Sequence, residues 1–216
     1  LAVISIIAQK GGSGKTTLAV HLAAAAQASG QEACIIDMDP QRTATAWGKW
    51  RGGAEPEIVD VQAGRPGMLA GVVQRVAELG AKIVVIDTPP HADAIAREAA
   101  SVADLVLIPT RPRGFDLHAI QSTASLVRET HCPAFVVFNA VPPRGVQVCM
   151  EAASLVATFG IPLCPIAVTD RAAFHHATTA GKVAGELDPA GKAAAEAQAL
   201  WEFVAKRAAG KKRRAR

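Results

Sequence analysis

Short, nearly unbroken apolar runs alternate along this chain with longer stretches in which apolar residues recur at helical spacing. The runs are Val3–Ala8, Ala33–Ile36, Ile83–Ile86, Leu105–Ile108 and Ala134–Phe138. A strand with one wet face alternates polar and apolar residues; these do not, which predicts parallel strands buried on both faces. Ile58–Val61 and Leu163–Val168 are weaker strand candidates. The stretches Thr16–Ser29, Gly67–Leu79, Leu117–Thr130 and Val146–Phe159 have helical length, and a last helix is expected over about Ala190–Ala208, where Leu200, Trp201, Phe203 and Val204 supply a packing face. Gly30, Pro89-Pro90, Pro109 and Pro112 punctuate the order. Strand and helix in alternation predict an α/β fold of three layers, a mostly parallel twisted sheet flanked by helices on both faces.

Composition fits that picture. The 216 residues are 50% apolar but only 4% aromatic, so Ala, Val, Leu and Ile must build the core, as suits a sheet under Ala-rich helices. No apolar run approaches the ~20 residues of a membrane span. The chain opens at Leu1 rather than Met and enters an apolar strand with no basic segment before it, which reads as a trimmed or unusual start and not as a signal peptide. Cys34, Cys132, Cys149 and Cys164 form no C-x-x-C pair, and His175-His176 has no third ligand candidate nearby. Reduced thiols in a cytoplasmic protein are expected, without a metal cluster.

Charge changes the picture at one end only. Lys206, Arg207, Lys211, Lys212, Arg213, Arg214 and Arg216 place seven of the 23 basic residues in the last eleven positions, leaving 16 basic against 19 acidic residues, a net of −3, elsewhere. Residues 1–209 are expected to form one domain and 210–216 a mobile basic tail suited to a polyanion.

The chemistry begins after the first strand, at Lys10-Gly11-Gly12-Ser13-Gly14-Lys15-Thr16-Thr17. Glycines let backbone N–H groups turn inward around a phosphate, and a helix opening near Lys15 adds its dipole. Lys15 can then reach the outer phosphates and Thr16 can ligate Mg²⁺. The first glycine of the general pattern is replaced by Gln9. Ile35-Ile36-Asp37-Met38-Asp39-Pro40-Gln41 ends the second strand with two acids on one side of it, and Val84-Val85-Ile86-Asp87-Thr88-Pro89-Pro90 delivers Asp87 to the same carboxyl edge, where ligands of open α/β folds bind.

Together, Q-K-G-G-S-G-K-T-T, I-I-D-M-D-P-Q and V-V-I-D-T-P-P resemble the deviant Walker A, Walker A′ and Walker B motifs of the ParA family of partition ATPases, and the likeness runs on through Ala103–Pro112. The short plasmid-partition members similar to ParF are the nearest in pattern. The resemblance implies a P-loop NTPase fold, ATP and Mg²⁺ as cofactors, and site roles. Gly11, Gly12, Ser13 and Gly14 would line the phosphates. Lys10 would be the signature lysine that reaches the nucleotide of a second subunit; Lys15, Thr16 and Thr17 would hold phosphate and metal. Asp39 would position the attacking water, Asp37 would lie near the metal, and Asp87 would be the Walker B acid. Asn139 would stand on the adenine side, and Thr169 and Asp170 would wall the base. The implied function is DNA segregation through an ATP-dependent homodimer, non-specific binding of double-stranded nucleoid DNA through the basic tail, and hydrolysis stimulated by a ParB-like or small adaptor protein. A relative that positions an organelle or protein cluster is the alternative.

Other classes with similar motifs fit less well. A MinD-like membrane anchor needs bulky apolar residues near the carboxyl end, and here they stop at Val204; no membrane partner is expected. A nitrogenase-like reductase needs a cluster cysteine soon after Asp87, and a self-phosphorylating kinase needs tyrosines, of which the chain has none.

Overall fold

The computed structural model describes residues 1–61 and 67–214, with residues 209–214 described by backbone alone. In chain order the elements are β1 (Ala2–Ile6), α1 (Lys15–Ala28), β2 (Ala33–Asp37), α2 (Thr43–Trp50), β3 (Glu57–Asp60), α3 (Leu69–Glu78), β4 (Ile83–Asp87), α4 (Asp93–Val102) and β5 (Leu105–Thr110). The chain continues through α5 (Gly114–His118), α6 (Ile120–Glu129), β6 (Ala134–Phe138), α7 (Val146–Thr158), α8 (Ala172–Thr179), α9 (Ala184–Leu187) and α10 (Lys192–Arg214). The strands form one six-stranded sheet in the order β3-β2-β4-β1-β5-β6, every ladder parallel.

Adjacent residues of a strand face opposite ways, and the core divides accordingly. Ile4, Ile6, Ile35, Val85, Leu107 and Val137 pack on one face beneath α1, α8 and α10. Val3, Ile36, Val84, Ile86, Val106 and Val136 pack on the other beneath α3, α4, α6 and α7. A fully buried Ile or Leu contributes roughly 1.5–3 kcal/mol, so apolar runs without alternation are what two covered faces require.

Several expectations shift. Leu163–Val168 is no strand: it meets β6 through one bridge, Val136 to Leu163, and a second bridge, Val141 to Thr169, lies beyond the ends of both segments. Pro162 and Pro165 have no N–H to give a ladder, and Cys164 and Val168 carry its hydrogen bonds to β6 instead. The helix expected over Leu117–Thr130 starts earlier and divides into α5 and α6. Gly210, where the basic tail was expected to begin, lies within a helix. Helix α10 runs on through it to Arg214, consistent with the helix preference of Lys and Arg and with basic groups at a helix carboxyl end, which offset about 1 kcal/mol for one glycine. Arg216 lies outside the described residues. Helix α10 is fixed to the body by Trp201, whose indole N–H donates to Ser29 Oγ at 3.1 Å. The Arg207 guanidinium sits 5.2 Å from the rings of both Phe135 and Phe203.

Candidate active site

The sheet register brings the acids together. Asp87, the last residue of β4, pairs with Asp37 of β2 on one side and with Ile6 of β1 on the other, so both carboxylates stand at the edge from which the glycine loop departs. The loop needs its glycines. Gly14 caps α1 in the left-handed region at φ 91°, and a Cβ there would collide with the Asn139 amide. Gly12 is left-handed too, at φ 70°.

Lys15 is buried, with 6% of its surface exposed, and its Nζ donates to the Lys10 carbonyl at 3.4 Å. Burial lowers its pKa, and the charges of Asp87 and Asp39 oppose that shift. Thr16 donates its hydroxyl to Asp87 Oδ2 at 2.6 Å. Asp87 is fully buried; desolvation pushes its carboxyl up to about 7 despite the Thr16 hydrogen bond.

The two acids after β2 behave differently. Asp37 is spent inside the protein: Oδ2 accepts the Thr45 N–H and hydroxyl, both at 2.8 Å, and Oδ1 accepts the Asp39 N–H at 3.1 Å. It ties the end of β2 to the first turn of α2 and so sets the position of Asp39. Asp39 is half-exposed; Oδ1 accepts the Gln41 N–H at 2.9 Å, and its other oxygen makes no hydrogen bond among the described residues.

The loop's two lysines point apart. Lys15 turns inward, whereas Lys10 keeps 39% of its side chain exposed and pairs with Asp116 of α5 at 3.0 Å. Asn139 donates its amide to the Ser13 carbonyl at 2.8 Å, which fastens it to the loop itself. Gln9, at the position of the missing glycine, donates its amide to Asp93 at the start of α4, a bond no glycine can make. Thr169 gives its N–H and hydroxyl to Glu196 at 3.0 and 2.8 Å, and Asp170 faces His175 at 3.6 Å. Lys206 and Arg207 are exposed on α10.

Three side-chain atoms among the described residues are buried without a hydrogen-bond partner: Ser13 Oγ, Asp87 Oδ1 and Arg111 Nε. Such atoms are rare and costly, and two of them belong to the phosphate-loop motif and the Walker B acid. An orphaned carboxylate oxygen beside a threonine hydroxyl fits Mg²⁺, which takes one or two protein oxygens and completes its shell with phosphates and water. When bound, the metal neutralises charge on the outer phosphates. Of the residues that matter here, Thr45, Arg111 and Asp116 escaped the sequence reading. Arg111 lay within the stretch Ala103–Pro112 that carried the resemblance, whereas the Lys10–Asp116 pair had no signal in spacing.

A strand, a glycine loop, a helix with a buried lysine and a hydroxyl–carboxylate pair define a P-loop nucleotide-binding protein. The model of the CobQ/CobB/MinD/ParA nucleotide binding domain matches residues 4–182, and the chain belongs to that family; it is a ParA/MinD-type ATPase. The maintenance of carboxysome distribution protein A of Gloeobacter kilaueensis is 34% identical over 206 residues, which cover 94% of this chain and 92% of that protein. Protein ParA of Rhizobium radiobacter is 30% identical over 131 residues, covering 60% and 57%. In fold, the chain is similar to Pyrococcus horikoshii MinD complexed with Mg-ADP, with a TM-score of 0.74 at 18% identity, covering 94% of this chain and 95% of that one. A Cyanothece McdA–ATP complex gives 0.71 at 16%, covering 95% and 96%. Among the described residues no helix is long and apolar enough to cross a membrane.

Proposed function

We propose that this ATPase is a positioning switch: it dimerises around Mg-ATP, holds double-stranded DNA without sequence preference, and is reset when an adaptor protein stimulates hydrolysis. The observation that carries the reading is the outward Lys10. A loop lysine that leaves its own phosphate cradle and stays at the surface is suited to donate its charge to the nucleotide of a second copy. Its surroundings support a protein neighbour. Helix α5, which holds Asp116, exposes Phe115 to 92%, and α7, packed against α5, exposes Val146 and Met150.

In this reading Gly11, Gly12, Ser13, Gly14, Lys15 and Thr17 bind the phosphates, Thr16 and Asp87 hold Mg²⁺, and Asp39 orients the attacking water with its free oxygen. Asp37 supports the metal side by fixing that loop. Asn139 acts through Ser13, and Thr169 and Asp170 lie toward the base. Phosphoryl transfer is helped mainly by placement and by charge opposite the terminal phosphate. Hydrolysis therefore waits for the second copy's Lys10, and dimer lifetime becomes a clock.

DNA binding is assigned to Lys206, Arg207, Lys211, Lys212, Arg213, Arg214 and Arg216. Two such helix ends on one dimer would gain avidity on a duplex, and localisation would follow the nucleoid in the cytoplasm. The first cargo reading is a plasmid or chromosome. A second, a protein body, is favoured by one observation: the carboxysome-distribution relative matches 94% of the chain and the plasmid ParA relative 60%.

Light scattering with a slowly hydrolysed ATP analogue tests the switch. Wild type should become a dimer, and Lys10→Ala should bind the analogue yet stay monomeric; a normal Lys10→Ala dimer refutes the role in trans. A salt titration of DNA affinity tests the helix end. Removing Lys211–Arg216 should flatten a slope of about −0.9 per phosphate neutralised, and an unchanged slope moves DNA binding to the folded body.

A further inference from the structure

We infer that Arg111 is a phosphate-binding residue of the nucleotide site, a third cation beside Lys15 and Lys10. It follows β5 directly, the strand next to β1 in the sheet, and so reaches the glycine loop from the side. Its Nη2 lies 3.9 Å from the place a Cβ on Gly12 would occupy, against a loop residue held in the left-handed region.

The charges around the loop are accounted for one by one. Lys15 donates to the Lys10 carbonyl at 3.4 Å, and the charges of Asp87 and Asp39 oppose the effect of its burial. Lys10 is neutralised by Asp116. The Arg111 guanidinium makes no ion pair or hydrogen bond among the described residues, and its Nε is buried as well. A guanidinium always carries its charge and presents five donors in a fixed fork suited to phosphate. Leaving such a group partly buried and unpaired is unfavourable unless an anion completes it. Arg111, Ser13 and Asp87 are the three residues with orphaned buried atoms among the described residues, and the other two belong to the proposed nucleotide site. The shared pattern assigns Arg111 to the same ligand.

The inference rests on the ATPase assignment and has its own test. Calorimetric titration with Mg-ATP and with Mg-ADP is run on wild type, Arg111→Gln and Arg111→Lys, together with thermal unfolding of each without nucleotide. Saturable binding by wild type is the control for the ATPase assignment, so failure there is distinct from failure of Arg111. The expected result is that Arg111→Gln weakens Mg-ATP about tenfold, the scale of one lost charge-assisted contact, while its nucleotide-free melting temperature is unchanged or higher. Arg111→Lys, which keeps the charge but not the fork, should recover part of the affinity. A loss confined to Mg-ATP places the contact on the terminal phosphate, and one shared with Mg-ADP places it further in; both support the inference. Affinity within twofold of wild type overturns it. So does a lowered nucleotide-free melting temperature in Arg111→Gln, which would make Arg111 a brace for the loop.

Discussion

Two polar clusters in this molecule are built on opposite terms. Beneath α2 and α9, everything is spent. Arg51 gives two bonds to Glu186, at 2.9 and 2.7 Å, and a third to the Gly181 carbonyl at 3.0 Å, with its guanidinium 4.6 Å over Trp47. Nearby, buried His21 lies 2.8 Å from the Thr17 carbonyl through Nδ1, and its Nε2 accepts the Ala184 N–H at 3.1 Å. At the phosphate loop, by contrast, Ser13, Asp87 and Arg111 keep buried atoms unpaired. The first cluster is finished by folding; the second, in the reading proposed here, is finished by a ligand. Substitutions in the first should therefore cost stability and spare nucleotide affinity, and those in the second should do the reverse.

The greatest change should come on the ligand side. Asp39→Ala should lower ATP turnover at least hundredfold, within the range for a lost water-orienting group, and leave the Mg-ATP dissociation constant within about threefold. Single-turnover kinetics beside equilibrium binding separates the two; equal turnover in both proteins removes Asp39 from the reaction.

On the folded side, His21 supplies a pH signature. Burial lowers its pKa from 6.5 to about 4, because a charged ring would lose its water and its Nε2 acceptor role. The unfolded chain takes up this proton at a higher pH than the folded chain. The contribution is thus intact above pH 6.5 and is lost as pH falls toward 4, about 3 kcal/mol in all. Denaturant melts of wild type and His21→Gln across that window should show the smaller acid dependence in the variant. Equal slopes would mean that His21 titrates normally.

Arg51→Ala should cost about 2 kcal/mol, a partly exposed version of breaking a buried pair, which lowers the melting temperature by about 4–8 °C at this chain length. Its Mg-ATP affinity should stay at the wild-type value. A matched loss of affinity would join the two clusters into one.

Smallest is the effect expected at the Lys10–Asp116 pair, which the proposed dimer would use. Asp116→Asn frees Lys10 from a half-exposed ion pair worth at most about 1 kcal/mol. It should lower the analogue concentration for half-maximal dimerisation by up to about fivefold, measured by light scattering. A higher concentration would make Asp116 part of the dimer rather than a restraint on Lys10.

The strand cores and the glycine turn between β1 and α1 were legible because both are local. Apolar runs without alternation announce two covered faces, and Gly14 and Lys15 announce phosphate by type and spacing. The hydrogen-bond partners of Asp37 and Asn139 were not legible, since each is distant in sequence or set by a backbone turn: Thr45 eight residues on, and Ser13 across the sheet edge. Asp116 was invisible for the same reason, and Arg111, though inside the stretch Ala103–Pro112, was not singled out. Their meaning lies in which neighbour they have, or lack. Helix α10 outran its expected end because Gly210 alone does not stop a helix whose next residues are good helix formers.

Whether the phosphate-loop cluster is completed by nucleotide is decided by thermal unfolding of Asp87→Asn and wild type, each with and without saturating Mg-ATP. Asp87 carries the orphaned oxygen and a carboxyl that burial makes costly, so the variant without nucleotide should melt at or above the wild-type temperature. Mg-ATP at about a hundred times its dissociation constant adds ~2.7 kcal/mol to a protein that binds it, and should raise wild type by several degrees and the variant hardly at all. A variant that melts lower than wild type alone, yet gains as much from Mg-ATP, would contradict the account: Asp87 would then belong with Arg51, as a group that folding completes.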